Sequence, residues 1–198
     1  SVLSDTGNII LIGEEGGGSS GLGFLMAAGT TVSSVAGGIK VSSNTLDIFG
    51  NIQASSLDTT QLFPYDAGVR IELSNGANVT GGPLRLSDTK LDMISTGVLT
   101  IGHPTCDTIL VEIPVTRSTT TDVYLITSGD VIFNPGTINT NGGNLLLDPG
   151  PSPMAVKPIT SGLEITVDTL SFGSDLAIVI NGPLVDVQYH QLHVNGSS

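Results

Sequence analysis

The chain has 198 residues and a mass of 20.2 kDa, a size that suggests one domain or two small ones. Six lysines and arginines stand against 18 aspartates and glutamates, so the formal net charge is −12 and no basic cluster can neutralise nucleic-acid phosphates. Lys, Arg and Glu are scarce, whereas β-branched residues, serine and 26 glycines are abundant, which argues against a helical bundle. With 39% hydrophobic residues, the chain has the apolar content of a folded protein.

Short runs of β-branched residues alternate with Gly, Asn, Asp and Ser turns along the chain. In one such run Val69, Ile71 and Leu73 share a face and are expected to point into the core. Arg70 and Glu72 lie between them and are expected to face solvent. The predicted strands are 8–12, 38–41, 45–48, 69–73, 84–86, 90–94, 98–101, 109–115, 123–127, 130–133, 144–147, 163–167, 176–180 and 185–194, and the one predicted helical turn is 22–28.

This pattern of short strands fits three all-β folds, namely a sandwich, a barrel and a β-solenoid. One phrase, a turn glycine followed by a strand with apolar residues two apart, recurs at 37–41, 81–86 and 142–147. A stack of coils reuses such a phrase, because each coil needs a neighbour to bury its apolar face. The sequence therefore predicts a single parallel β-solenoid over 1–198, of about nine coils with irregular inserted loops. A β-sandwich is the alternative.

Two stretches of the chain contain recognisable sequence motifs. The first runs over 97–147 and contains Gly-Val-Leu-Thr-Ile-Gly and Gly-Gly-Asn-Leu-Leu-Leu, each typical of one coil. The second, 186–196, reads Asp-Val-Gln-Tyr-His-Gln-Leu-His-Val-Asn-Gly, with His190 where an acidic residue is commoner. They resemble the filamentous-haemagglutinin-like and autotransporter-like repetitive proteins of bacterial surfaces. The resemblance covers 68–196, and residues 1–67 share only the general character of these sequences. It implies export, a right-handed parallel β-helix and a role as stalk or adhesive fibre.

The single cysteine and the ends of the chain bear on its location. Cys106 is the only cysteine, so we expect no internal disulfide and a small buried side chain there. The first residues, 1–5, lack the basic start and apolar run of an export signal, and no run of 18 apolar residues predicts a membrane span. Both ends read like internal strands. We therefore expect a segment of a longer exported protein, extracellular or at the cell surface.

No motif for catalysis or firm metal binding emerges. His190 and His193 are three residues apart in a predicted strand and would point to opposite faces, so they are not expected to share a metal. Cys106 follows His103 by three residues, but no nucleophile-elbow glycines surround it. We expect a protein without enzymatic activity and without a cofactor. The acidic composition leaves weak calcium binding open.

The rival hypothesis is a polysaccharide-binding or polysaccharide-degrading β-helix, because neighbouring coils place carboxylates at the separation that glycosidases need. The densest charged stretch is 85–92, in which Asp88, Lys90 and Asp92 would share one face of a predicted strand as a solvated ladder. Two aromatic residues flank Pro64 and could stack on a sugar. The candidate carbohydrate or surface contacts are therefore Phe63, Tyr65, Arg85, Asp88, Lys90 and Asp92.

A β-solenoid leaves main-chain N–H and C=O groups unpaired at both ends, and natural solenoids cover them. The predicted first and last strands contain no proline, charge run or helix that would do so. We expect other copies of the chain, or adjoining segments of a parent chain, to cover these ends. Host or environmental glycans are further expected partners. The residues predicted to mediate end-to-end association are Ile9, Ile10, Leu11, Ile12, Leu192, His193 and Val194.

Overall fold

A computed structural model describes residues 1–15, 23–151, 156–158, 164–166, 169–172 and 193–194. Within these residues short strands dominate and one helix of five residues occurs, which confirms the all-β class. The elements are β1 (Val2–Ser4), β2 (Ile9–Gly13), β3 (Phe24–Met26), β4 (Thr31–Ser34), β5 (Ile39–Ser43), β6 (Leu46–Ile48), β7 (Asn51–Gln53), β8 (Thr59–Phe63), β9 (Ile71–Leu73), β10 (Leu84–Leu86), α1 (Asp88–Asp92), β11 (Ile94–Ser95), β12 (Val98–Gly102), β13 (Ile109–Val111), β14 (Val115–Thr116), β15 (Asp122–Ile126), β16 (Val131–Phe133), β17 (Ile138–Asn139), β18 (Leu145–Asp148), β19 (Val156–Pro158), β20 (Glu164–Thr166), β21 (Leu170–Phe172) and β22 (His193–Val194).

The described strands form five sheets. Their orders are β1-β4-β7-β11 (sheet A), β2-β5-β8-β12-β15-β18-β21 (sheet B), β3-β6 (sheet C), β10-β9-β13-β16-β19 (sheet D) and β14-β17-β20-β22 (sheet E). Every pair of described strands is parallel, so the antiparallel pairing that a β-sandwich requires does not occur among them.

The chain visits these sheets in a repeating order. β1, β2 and β3 lie in sheets A, B and C, and β4, β5 and β6 return to the same three sheets in the same order. From β12 to β20 the chain passes through sheets B, D and E three times. Paired residues on neighbouring strands are consequently far apart in sequence, from 13 positions for Ile71 and Leu84 to 42 positions for Ile52 and Ile94.

The core consists of aliphatic side chains that lie in register on neighbouring strands. In sheet B the pairing aligns Val41 with Leu62, Leu62 with Ile101, and then Leu125 and Leu147. All five are fully buried. Burial of each such side chain stabilises the fold by about 1.5–3 kcal/mol, so a continuous apolar column holds successive strands together. Cys106 belongs to the same core, which confirms its predicted burial.

Two secondary-structure predictions are wrong. The segment 90–94, predicted as a strand, begins inside α1, where the Ser87 hydroxyl accepts a hydrogen bond from the Lys90 N–H as a helix N-cap. Its apolar residues are three apart, a spacing that also suits a helical turn. The segment 22–28, predicted as a helical turn, contains β3, which pairs with β6. The predicted strand 109–115 is split into β13 and β14.

The predicted register of residues 69–73 holds for the apolar side chains but not for every polar one. Ile71 and Leu73 are fully buried, Val69 is half-buried, and Arg70 is exposed. Glu72 was expected in solvent, yet it is only 5% exposed. The reason is that two arginine side chains cover its carboxylate, so this position is buried by ion pairing rather than by the core.

Candidate functional site

The predicted charged ladder does not form, because Asp88, Lys90 and Asp92 lie on a helix and not on a strand. Arg85 lies on β10, whereas the other three lie on α1. The Oδ1 of Asp88 accepts a hydrogen bond from the Thr116 N–H at 2.9 Å. The Nζ of Lys90 lies 2.6 Å from Oδ1 of Asp47. Because a helical turn spreads its side chains around the axis, each charge meets a different neighbour.

A buried arginine, which sequence patterns do not reveal, holds α1 in place. Arg117 is 2% exposed, and its two terminal guanidinium nitrogens donate to the carbonyl oxygens of Leu91 and Ile94. Burial lowers the pKa of Arg117, and the charges of Asp92 and Asp88 oppose that shift. Burial also raises the pKa of Asp92, with the Asp88 charge adding to the effect. The geometry is that of an anchor for the helix end.

Glu72 and Arg85 form the centre of a second polar cluster. Arg70 pairs with one carboxylate oxygen of Glu72, and Nε of Arg85 lies 2.7 Å from the other. Asn78 completes the cluster: its Oδ1 accepts from the Arg85 N–H at 2.7 Å, and its Nδ2 donates to the Leu46 carbonyl oxygen at 2.7 Å. These contacts hold the segment 74–83 against sheets C and D, so the cluster serves the fold.

The two predicted aromatic contacts lie in different environments. Phe63, at the end of β8, is half-buried, and its ring stacks on His103 with a centroid separation of 5.3 Å and an interplanar angle of 28°. Tyr65 is exposed, and a hydrogen bond with Glu14, together with the negative charge of Glu14, raises the pKa of Tyr65 above its ordinary value. Sequence reasoning missed His103 as a partner, because only the pairing of β8 with β12 brings it to Phe63.

The predicted association strand 9–12 forms most of β2, an edge strand of sheet B. Ile9 is buried and Leu11 half-buried, whereas Ile10 is 64% and Ile12 60% exposed. On β5, the neighbouring strand, the residues paired with these two isoleucines are polar. Ile10 pairs with Lys40, and Ile12 pairs with Ser42.

The same contrast recurs in sheets A and C. Leu3 is exposed on β1, and its partner on β4 is Ser33. Leu25 is exposed on β3, and its partner on β6 is Asp47. The first strand of each of these three sheets therefore presents apolar side chains outward where the next strand presents polar ones. This outward apolar surface, formed by Leu3, Ile10, Ile12 and Leu25, is called the N-terminal edge below.

At the other end of the chain, β22 pairs with β20 and lies at the edge of sheet E. Leu192 and His190 lie outside the described residues, as does most of the stretch 186–196. Among the described residues, no group of three or more His, Cys, Asp or Glu side chains is placed to hold a metal ion. In that same part of the chain, no helix has the length and apolar character needed to cross a membrane.

The strand order, the pairing and the N-terminal edge define an all-β protein built from parallel sheets. No protein-family model, no curated protein and no solved structure matches the chain.

Proposed function

We propose that the protein is a right-handed β-solenoid segment of an exported bacterial protein, acting as a stiff stalk or fibre element that associates end to end. The single observation that carries the proposal is the repeating order in which the chain returns to its parallel sheets. Each return adds one strand to every sheet it passes, which is the behaviour expected of a chain wound into coils. Parallel crossovers are right-handed in about 98% of cases, which supports the handedness.

Stiffness would follow from two features of such a stack. Main-chain hydrogen bonds join each described strand of sheet B to the next, and the apolar column spans five of these strands, from β5 to β18. With about 22 residues in a coil, the chain would form about nine coils and a rod about 40 Å long. The resemblance of 97–147 and 186–196 to bacterial surface proteins supports an extracellular or cell-surface location. The net charge of −12 favours solubility and repels nucleic acid and anionic lipid.

The N-terminal edge supports association with a second copy or with an adjoining segment. β2 is hydrogen-bonded to β5 on one side, and its other side belongs to the edge of sheet B. A further parallel strand placed there would pair with β2 and bring its own outward side chains against Ile10 and Ile12. Because β21 is the last described strand at the opposite edge of the same sheet, a head-to-tail contact would continue the ladder in one direction. Repeated contacts of this kind build an open filament.

Sedimentation velocity over a concentration series tests the proposal, with electron microscopy of the same samples. We expect the wild-type chain to form larger species and short rods as its concentration rises. The double variant Ile10→Lys and Ile12→Lys is expected to stay monomeric, because two charges replace the apolar contact. It should still fold, since both side chains are exposed and the fold does not need them. Leu57→Lys changes an exposed apolar position that is not part of the N-terminal edge; it is the matched control and should associate like the wild type. A wild-type chain that remains monomeric at millimolar concentration contradicts the proposal.

A further inference from the structure

A groove of about 270 Å³ lies where β5 and β8 begin, on the outer side of sheet B. Lys40 and Gln61 are paired neighbours in the sheet and emerge on its outer side, because Ile39 and Leu62 beside them are fully buried. Leu57, which is 93% exposed, adds an apolar wall. The groove is lined by Asn8, Gly38, Lys40, Leu57, Asp58, Thr59 and Gln61.

Lys40 differs from the other cations of the chain. All six lysines and arginines lie in the described residues, and five have a carboxylate or carbonyl partner. Lys40 is exposed and has no hydrogen-bond or ion-pair partner among the residues that the structure describes. An unpaired cation in a groove offers a charge-assisted hydrogen bond to a negative group at short range, where it must outweigh the repulsion from the net charge of −12.

The polar neighbours of Lys40 are partly committed to the backbone and partly free. The Asn8 Oδ1 accepts from the Gly38 N–H at 2.8 Å, which fixes the side chain and leaves its Nδ2 as a donor. The Gln61 Nε2 donates to the Gly102 carbonyl oxygen at 2.9 Å, which leaves its Oε1 as an acceptor. The groove also contains the Asp58 carboxylate, whose Oδ2 accepts from the Gly37 N–H at 3.2 Å and from the Ser55 hydroxyl. It therefore combines one cation, one fixed donor, one fixed acceptor and one carboxylate already engaged by two donors, a set that can hold a ligand carboxylate at Lys40 and sugar hydroxyl groups at the other three.

An aromatic surface lies next along the same strand. Phe63 and Gln61 are alternate residues of β8 and emerge on the same side, about 7 Å apart along the strand. Phe63 is held by its stacking on His103, whose Nδ1 accepts from the Thr105 N–H at 3.3 Å. The C–H face of a pyranose ring packs well on an aromatic ring.

We propose that the Lys40 groove and Phe63 together form a binding site for an acidic oligosaccharide, with a uronate carboxylate at Lys40 and the neighbouring sugar ring against Phe63. This inference goes beyond the stalk role and does not depend on association through the N-terminal edge. The site has a recognition function only. Neutral sugars would leave Lys40 unpaired and are expected to bind more weakly.

The test uses tetragalacturonate as the probe and a neutral galactose tetramer as its counterpart, with binding to the full chain measured by calorimetry and by saturation-transfer NMR. We expect the acidic probe to bind and the neutral one to bind at least tenfold more weakly. Lys40→Gln, which keeps most of the side-chain volume, is expected to raise the Kd for the acidic probe about tenfold or more, the usual effect of losing one charge-assisted hydrogen bond. Phe63→Leu should weaken both probes.

Arg70→Gln is the matched charge control, because it removes one positive charge at a distance from the groove while Glu72 keeps its bond to Arg85. Its Kd for the acidic probe should equal that of the wild type. The inference is overturned if the wild type does not bind tetragalacturonate, or if Lys40→Gln and Arg70→Gln weaken it equally. It is also overturned if Lys40→Gln changes sedimentation of the sugar-free protein without changing sugar affinity, since the groove would then be a contact between copies.

Discussion

Arg85 Nε lies 2.7 Å from the Oε2 of Glu72 and joins β10 to β9 across sheet D. Glu72 is almost completely buried, and Arg85 is about one quarter exposed. Solvent screens such a pair weakly, so its loss should cost more than the loss of a surface ion pair. Arg70 approaches the other carboxylate oxygen from the solvent side and is half exposed.

This arrangement predicts unequal effects of removing both arginine contacts, by Glu72→Ala, and of removing the outer contact alone, by Arg70→Ala. Glu72→Ala should lower the free energy of unfolding by about 3 kcal/mol, because it leaves a half-buried guanidinium without its carboxylate. Arg70→Ala should cost about 1 kcal/mol or less, because Glu72 keeps its bond to Arg85. Urea unfolding followed by circular dichroism measures both. An equal loss of unfolding free energy in the two variants would show that the ion pair between Arg85 and Glu72 does not stabilise the fold.

The anchoring of α1 by Arg117 predicts local opening when the guanidinium is removed. Arg117→Ala should lower the free energy of unfolding by about 2–4 kcal/mol, because the carbonyl oxygens of Leu91 and Ile94 lose their donors and a cavity remains. Arg117→Lys should rescue little, because one ammonium cannot reproduce the two-nitrogen fork. Amide hydrogen exchange of 88–95 provides the measurement. Unchanged protection of this segment in Arg117→Ala would refute the anchor.

Cys106 gives a prediction about pH. Burial raises the pKa of its thiol from 9.0 to about 11. Between these values the unfolded chain releases a proton that the folded chain retains, so this thiol's contribution to stability is present below pH 9 and falls as the pH rises towards 11. The native thiol should resist labelling by an aromatic disulfide at pH 8 and react on unfolding.

Cys106→Ala isolates this effect, because other groups titrate alike in both proteins. The difference in unfolding free energy between wild type and variant should shrink by about 1–2 kcal/mol from pH 8 to pH 10.5. A difference in unfolding free energy that stays constant with pH, or rapid labelling of the native thiol, would contradict a buried Cys106 thiol with a raised pKa.

Gly97 directly precedes β12, at a point where the chain passes close to the backbone of Ser56. A Cβ at this position would lie 1.9 Å from the Ser56 carbonyl oxygen, so Gly97→Ala should force the two segments apart and destabilise the fold by about 2–3 kcal/mol. At Gly7 a Cβ would meet the Ser4 hydroxyl oxygen at an ordinary 3.5 Å, which makes Gly7→Ala the matched control. Thermal unfolding of both variants compares them, and similar melting temperatures would contradict the close approach.

Features that depend on neighbouring residues along the chain could be predicted from the amino-acid sequence. Alternation of apolar and polar residues identified strands such as β10 and β12, and placed Ile71 and Leu73 in the core. Composition excluded a helical bundle, and the lone Cys106 was expected in the interior, where it lies. These features are local, because a strand with one buried face needs a period of two wherever it is placed.

Which strands pair, and which side chains cover their outer faces, is evident only from the folded structure. The burial of Glu72, the anchoring by Arg117 and the stacking of Phe63 on His103 join residues up to 40 positions apart, and no short-range pattern encodes them. The same holds for α1, whose 3-residue apolar spacing is ambiguous until Leu91 packs into the core. The physical reason is that parallel strands pair only after a long return of the chain, so each outward side chain acquires neighbours that the sequence does not place beside it.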